Sequence, residues 1–261
     1  TAGKLNQETV TGIVREAWAK GIDRFDTAQG YEDSETLLGQ AIRGLGLSGK
    51  IKAISKISHS ADHLDARALI ASVDASLKKL NVQRLHGLLI HNEEALTLWD
   101  KGLKDTLTSL VRAGKIEHIG ASVYSPEKAL LALSIPEMDI LQVPTNVLDR
   151  RFMKAGVFQA AHERKKDVYI RSIFLQGLLL MDAAHIPEKM SFGRPVLLNF
   201  AKFCRECNIS RQQLAIGYLR TRVPQAYLLF GAERTEQVKD SIKGLGVEIP
   251  EPLCHDLEEV F

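Results

Sequence analysis

Short apolar runs alternate with longer segments of helical period along the whole chain. The runs fall at residues 22–28, 51–57, 84–92, 116–124, 139–146, 167–174 and 226–232. Each is nearly continuous in apolar character, the pattern of strands buried on both faces. Between them, apolar residues recur every three to four positions, which predicts helices. These cover Glu8–Lys20, Asp33–Arg43, Asp65–Leu80, Glu94–Ala113, Pro126–Leu133, Phe152–Lys166, Pro195–Cys207, Arg211–Thr221 and Thr235–Lys243. Asp33 or Ser34 supplies an N-cap for the second, and Pro126 and Pro195 suit a first helical turn. Strands separated by helices predict βαβ units and a parallel sheet with both faces covered. No linker, composition shift or longer repeat divides the chain, so residues 1–261 are expected to form a single domain.

Seven strands are one short of the eight that close a barrel. The expected fold is therefore α/β, a (β/α)8 TIM barrel whose first strand precedes Thr1, with a vacant slot beside strand 22–28. The length of 261 residues suits that fold, for which about 250 is typical. A net charge of +2 gives no reason to expect nucleic acid or membrane as a partner. No apolar run reaches the ~18 residues of a membrane span, and no signal-peptide pattern opens the chain. A cytoplasmic location and a monomer or weak homo-oligomer are the corresponding expectations.

Three motifs have ordinary readings. Gly44-Leu45-Gly46-Leu47-Ser48-Gly49 matches G-x-G-x-x-G, but it follows a helix and precedes a strand. A dinucleotide fingerprint needs the reverse order, so this is a helix C-cap and loop. Cys204 and Cys207 match C-x-x-C inside a helical pattern without a second pair, and read as two thiols on adjacent turns. His59 and His63 lack accompanying ligands and read as surface histidines, so no metal is expected.

The chemistry lies where polar residues close apolar runs. Asp26, Lys56 and His91 end three successive strand candidates, and Tyr31 follows Asp26 by five residues. In an α/β barrel the C-terminal rim of the strands carries the active site. A phenol, with a reference pKa of ~10, is a poor acid near neutrality. A neighbouring ammonium favours the phenolate and lowers that value. A carboxylate holds the ammonium, and an imidazole can orient a carbonyl oxygen. The set suits proton donation to a carbonyl. Hydride must then come from a nicotinamide cofactor, because no side chain supplies it.

The segment Phe25-Asp26-Thr27-Ala28-Gln29-Gly30-Tyr31-Glu32-Asp33-Ser34-Glu35 resembles the Asp-Thr-Ala…Tyr…Ser-Glu signature of the aldo-keto reductases. Lys56 and His91 fall where that family carries its lysine and histidine. Blocks resembling those of the family follow in order at residues 115–122, 171–179 and 230–238, so the likeness spans essentially the whole chain. The resemblance implies NADPH-dependent reduction of an aldehyde or ketone, a small-molecule carbonyl substrate, with Tyr31 as general acid. It implies that Lys56 tunes the acid, Asp26 pairs with Lys56 and His91 orients the carbonyl. It places Ser122 and Gln142 on the nicotinamide carboxamide and Arg171 against the nicotinamide ring. Ser172, Leu175 and Gly177 would line the pyrophosphate. Gly231 would also contact the cofactor, with Arg234 and Gln237 at the adenosine end, where Arg234 favours NADPH.

The chain departs from the family pattern at Val123, Glu32, Phe174 and Ser241, where asparagine, glycine, proline and asparagine are common. Two alternatives stand beside reduction: a non-catalytic, cofactor-binding subunit, and a dehydrogenase working mainly toward the ketone. Phe261 ends the sequence about where a last helix would finish, and His91 leads almost directly into a helical pattern. An open, shallow site that tolerates bulky polar carbonyls such as a keto-sugar is therefore expected.

Overall fold

A computed structural model describes residues 5–261. Its centre is a seven-stranded sheet in which every strand pairs in parallel with its sequence neighbour. The strands are β1 (Arg24–Asp26), β2 (Lys52–Lys56), β3 (Leu85–Ile90), β4 (Ile116–Ser122), β5 (Met138–Pro144), β6 (Asp167–Arg171) and β7 (Tyr227–Leu228). The helices are α1 (Gln7–Ala19), α2 (Ser34–Gly44), α3 (Ala66–Leu80), α4 (Leu103–Arg112), α5 (Pro126–Ser134), α6 (Arg151–Lys154), α7 (Val157–Glu163), α8 (Arg194–Glu206), α9 (Arg211–Arg222), α10 (Thr235–Leu245) and α11 (Glu251–Val260). The strands form a curled barrel wall of the (β/α)8 type, and most of the core lies between it and the helices.

A small second cluster of Ile54, Leu89, Ile140 and Tyr169 fills the barrel interior. Glycine makes room for it. A Cβ on Gly120 would stand 2.4 Å from the Ile140 carbonyl oxygen, and one on Gly87 would stand 2.7 Å from Ile140 Cδ1. Among the described residues β1 pairs only with β2, and β7 only with β6. Arg24 of β1 reaches across that gap, donating to Tyr169 Oη and Tyr227 Oη at 3.1 Å each. The strand expected before Thr1 lies outside the described residues.

Several boundaries differ from the sequence expectation. The helix expected over Glu94–Ala113 is a 3-10 segment, Glu93–Lys101, followed by α4. Gly102, with φ 119°, makes the break, a conformation open mainly to glycine. Gly156 (φ 71°) likewise separates α6 from α7. Strand 226–232 shrinks to Tyr227–Leu228. The long β6–α8 connection winds through three short 3-10 turns that carry no usable apolar period. Helix α11, absent from the predicted set, packs on α9 through Tyr218 Oη, which donates to Glu258 Oε1 at 2.7 Å. Among the described residues no helix is long and apolar enough to cross a membrane.

His63 is also a correction. It is buried, not on the surface, and burial pushes its imidazole below the ordinary value. Cys204 and Cys207 are free thiols at the end of α8. Burial pushes Cys204 up to about 11, which leaves it an inert thiol at neutral pH.

Candidate active site

Asp26 is the last residue of β1 and Lys56 the last of β2, while His91 directly follows β3. All three therefore emerge at the same rim. Beyond β1 the chain keeps to the edge of β2: the Thr27 N–H donates to Ile54 O at 2.9 Å and the Gln29 N–H to Lys56 O at 3.0 Å. A tight turn then presents Tyr31, whose carbonyl accepts from the Ser34 N–H at 2.8 Å. Side chains clamp this turn on both flanks. Thr27 Oγ1 donates to Ser34 Oγ at 2.8 Å, and Ser55 Oγ donates to the buried Glu35 Oε1 at 2.7 Å. The Asp26–Glu35 segment thus builds a fixed platform for a phenol that is itself 44% exposed.

Lys56 is 0% exposed. Its ammonium donates to Asp26 Oδ2 at 2.6 Å and to Thr27 O at 2.8 Å, and lies 5.0 Å from the centre of the Tyr31 ring. Burial pulls the ammonium below its ordinary value, and the Asp26 carboxylate opposes that pull. The other Asp26 oxygen accepts from Gln142 Nε2 at 2.9 Å, and Gln142 Oε1 accepts from Ser122 Oγ at 3.3 Å. Ser122, Gln142, Asp26, Lys56 and the Thr27 carbonyl form one continuous chain of hydrogen bonds through the barrel mouth.

The phenol itself differs from the expected tuning. In the free protein Tyr31 lies above the ordinary phenol value, first through burial and then through the Asp26 charge. The cation that draws it down is Arg171. Lys56 is closely neutralised by Asp26, so its field at the phenol is that of an ion pair and not of a free charge. Tyr31 therefore holds its proton throughout the neutral range.

His91 is 6% exposed, edge-on to Tyr31 with ring centres 5.6 Å apart. Burial, reinforced by His59, Lys56 and Arg171, pushes its imidazole down to about 4. It is a neutral hydrogen-bonding group near pH 7, not an acid. The linkage has a definite sign. Between about pH 4 and the ordinary value near 6.5, the unfolded chain binds a proton that the native chain does not. Native stability is expected to fall as pH drops through that window. The loss is at most about 3 kcal/mol, at ~1.36 kcal/mol per pH unit. Urea unfolding at both ends of the window checks this. A His91→Asn chain with the same pH slope as the native chain excludes His91 as its source.

Arg171, the last residue of β6, lies across the mouth. Its guanidinium stacks 4.2 Å from the Tyr124 ring centre and donates from Nη2 to Val123 O at 3.3 Å. Next to it begins a cavity of about 590 Å³, within the ~300–1,000 Å³ of ligand pockets. Ser172, Gly177, Gly231 and Gln237 line it, as do Phe174, Phe230, Glu233 and Ser241. Ser172, Leu175, Gln176 and Gly177 all have positive φ, between 49° and 88°. Three of these are not glycine, and such strain marks ligand loops. No protein atom would lie within 4 Å of a Cβ on Gly231. Gln237 Oε1 accepts from the Glu233 N–H at 2.6 Å and the Arg234 N–H at 3.3 Å, which orders the start of α10. Arg234 is exposed beside that wall.

The structure thus brings Asp26, Tyr31, Lys56, His91, Ser122, Gln142 and Arg171 into one mouth. Ser172, Gly177, Gly231 and Gln237 line the adjoining cavity, while Leu175 and Arg234 flank it. Sequence reasoning missed His59 and Tyr124. His59 lies against His91 with ring centres 4.0 Å apart. Tyr124 ends the apolar run 116–124 and His59 lies in the loop after β2, but periodicity does not tell which rings they meet at the rim.

A model of the Aldo/keto reductase family matches residues 1–260. The chain is 23% identical to the NADH-specific methylglyoxal reductase of Escherichia coli K12, over 95% of this chain and 86% of that protein. It is 24% identical to the L-glyceraldehyde 3-phosphate reductase of Escherichia coli O157:H7, over 91% and 79% of the two chains. A crystal structure of an aldo-keto reductase from Klebsiella pneumoniae in complex with NADPH superposes with a TM-score of 0.79 at 20% identity, covering 98% of this chain and 85% of that one.

Proposed function

The chain belongs to the aldo/keto reductase family, and on that premise we propose that it reduces an aldehyde or ketone to an alcohol with NADPH, Tyr31 donating the proton. One observation carries the reading: the buried Lys56–Asp26 pair sits under Tyr31, with His91 edge-on to the same ring, beside a cavity of about 590 Å³. A bound nicotinamide supplies the hydride. Tyr31 Oη gives its proton to the carbonyl oxygen as the alcohol forms. The phenolate left behind is stabilised by Arg171 and by the Lys56 ammonium beneath the ring. His91, being neutral, can donate to the same oxygen without competing for the proton. Gln142 and Lys56 hold Asp26 from two sides and keep the ammonium under the phenol.

The strained 172–177 loop and the open space before Gly231 suit a pyrophosphate. Phe174 and Phe230 give the cavity apolar walls, and Gln237 orders its far end. Arg234 stands where it can pair with a 2′-phosphate, and Glu233 in the same wall opposes that charge. The Escherichia coli relative is NADH-specific; in this chain we assign the preference between the two nucleotides to Arg234 and Glu233. Arg234→Ala is expected to weaken NADPH roughly tenfold, the worth of a charge-assisted hydrogen bond, while NADH changes little. Dissociation constants for both nucleotides check it, and an unchanged ratio excludes the role.

The mouth is open, with Tyr31 and Tyr124 both exposed. That favours polar carbonyls over steroids, which need apolar walls. The test of the whole reading is NADPH and NADH oxidation against a panel of aldehydes, keto-sugars and steroids. No turnover above the Tyr31→Phe background with either nucleotide would sink it, and tight selective steroid reduction would refute the open site.

A further inference from the structure

At the opposite end of the barrel from Tyr31, the first residues of three strands bring a second cluster together. His86 is the second residue of β3, Glu117 and His118 are the second and third of β4, and Asp139 is the second of β5. The β3–β4 register, with Leu85 opposite Ile116 and Gly87 opposite His118, sets His86 beside Glu117. His86 Nδ1 lies 2.8 Å from Glu117 Oε2, and the two imidazole rings are edge-on, with centres 5.0 Å apart. One ring nitrogen of each histidine and a carboxylate oxygen of Glu117 all lie within 4.8 Å of one another.

The surroundings set this apart from a chance meeting of surface groups. His86 is 8% exposed and its Nε2 is buried with no hydrogen-bond partner, so its polar contacts run only to this cluster. The second Glu117 oxygen is held by Arg84 Nη2 at 3.0 Å, which leaves Oε2 for His86. His118 Nδ1 lies 3.1 Å from Asp139 Oδ2. A histidine pinned by a carboxylate is the usual support of a metal-binding imidazole. A cavity of about 540 Å³ reaches His86 and Glu117 from outside.

We propose that His86, Glu117 and His118 bind a divalent transition metal at the barrel floor, with Asp139 as a positioning residue for His118. Two imidazoles and one carboxylate match Zn2+, which takes nitrogen and oxygen ligands at about 2.0–2.2 Å and keeps a fourth position for water. Such ligands stand ~3.4 Å apart around a tetrahedral ion, so the cluster has to contract modestly. Glu117 and His118 are only half-buried and can make that movement. Acid protonates the imidazoles and the carboxylate, and the protonated groups cannot ligate, so binding weakens as the pH falls. No spacing motif announces the site, because the adjacent Glu117 and His118 on β4 meet His86 from a different strand, β3.

The test uses the full chain, stripped with chelator. Zn2+ is titrated calorimetrically and Co2+ by its visible absorption, whose intensity reports tetrahedral geometry. One saturable ion per chain is expected, together with a rise in melting temperature on adding Zn2+. His118→Ala and Glu117→Gln alter half-buried groups, so they test the site without emptying the core. Each is expected to remove the Co2+ signal. Asp139→Asn is expected to weaken binding roughly 10- to 100-fold, as loss of a supporting carboxylate does. Carbonyl reduction, which occurs at the other end of the barrel, serves as the control for folding. Absence of saturable binding by the native chain overturns the proposal, as does unchanged affinity in both His118→Ala and Glu117→Gln.

Discussion

Tyr31→Phe is expected to lower the rate of carbonyl reduction by roughly 10²- to 10⁴-fold, the contribution of a positioned general acid. The mutant should still bind NADPH nearly as well as the native chain. The phenol is the one proton donor that its own platform delivers to the mouth. The Thr27–Ser34 and Ser55–Glu35 hydrogen bonds hold the turn, and none of them uses the Tyr31 hydroxyl. Removing that oxygen therefore leaves the platform standing and the adjoining cavity untouched. Because Tyr31 lies above the ordinary phenol value, the native rate should fall only at strongly alkaline pH. Single-turnover NADPH oxidation and nucleotide binding, measured on the same preparations, separate the two effects. A mutant that keeps most of the native rate assigns the acid elsewhere.

Asp26→Ala is expected to destabilise the fold by about 3–5 kcal/mol, the cost of leaving a buried charge without its partner. The lysine is 0% exposed and would keep only the Thr27 carbonyl. Gln142 would lose its acceptor in the same change. Lys56→Met removes the charge with the partner still 19% exposed to water, and should cost much less. The pH dependence separates the two. Burial already holds the native lysine below its unfolded value of 10.5. Between those two values the unfolded chain carries the extra proton, so stability rises with pH. Without Asp26 the depression deepens, and the Asp26→Ala deficit should shrink as the pH approaches 10.5. Urea midpoints for both mutants at neutral and alkaline pH measure this. Equal midpoints for Asp26→Ala and the native chain would show that the pair contributes nothing to stability.

Much of this architecture is legible in the chain itself. Near-continuous apolar runs separated by amphipathic segments identify strands sheathed by helices, because a strand covered on both faces cannot expose a polar side. A polar residue at the end of such a run must leave the sheet at its rim, which singles out Asp26, Lys56 and His91. Glycines were harder to read. Gly102 and Gly156 break the predicted helices because their φ values are positive, at 119° and 71°, and a periodicity argument has no access to φ. His63 looked like a surface residue because its neighbours Asp62 and Leu64 give no sign of what packs over them. The β6–α8 connection has no period at all, yet its left-handed Ser172, Gln176 and Gly177 line the cavity.

Local periodicity and the chemistry of burial give the seven strand positions, their order and the polar residues Asp26, Lys56 and His91 that end or directly follow three of them. The distances arise only when the barrel packs. Gln142 and Asp26 are 116 residues apart in the chain and 2.9 Å apart in space, since the curl of the sheet turns β1 and β5 toward one axis. The same curl brings Arg171 of β6 to the Tyr31 phenol, while the pairing of neighbouring strands lays His59 on His91 and gathers His86, Glu117 and His118 at the floor. A charge acts through its distance and its surroundings, and neither exists until the barrel has formed.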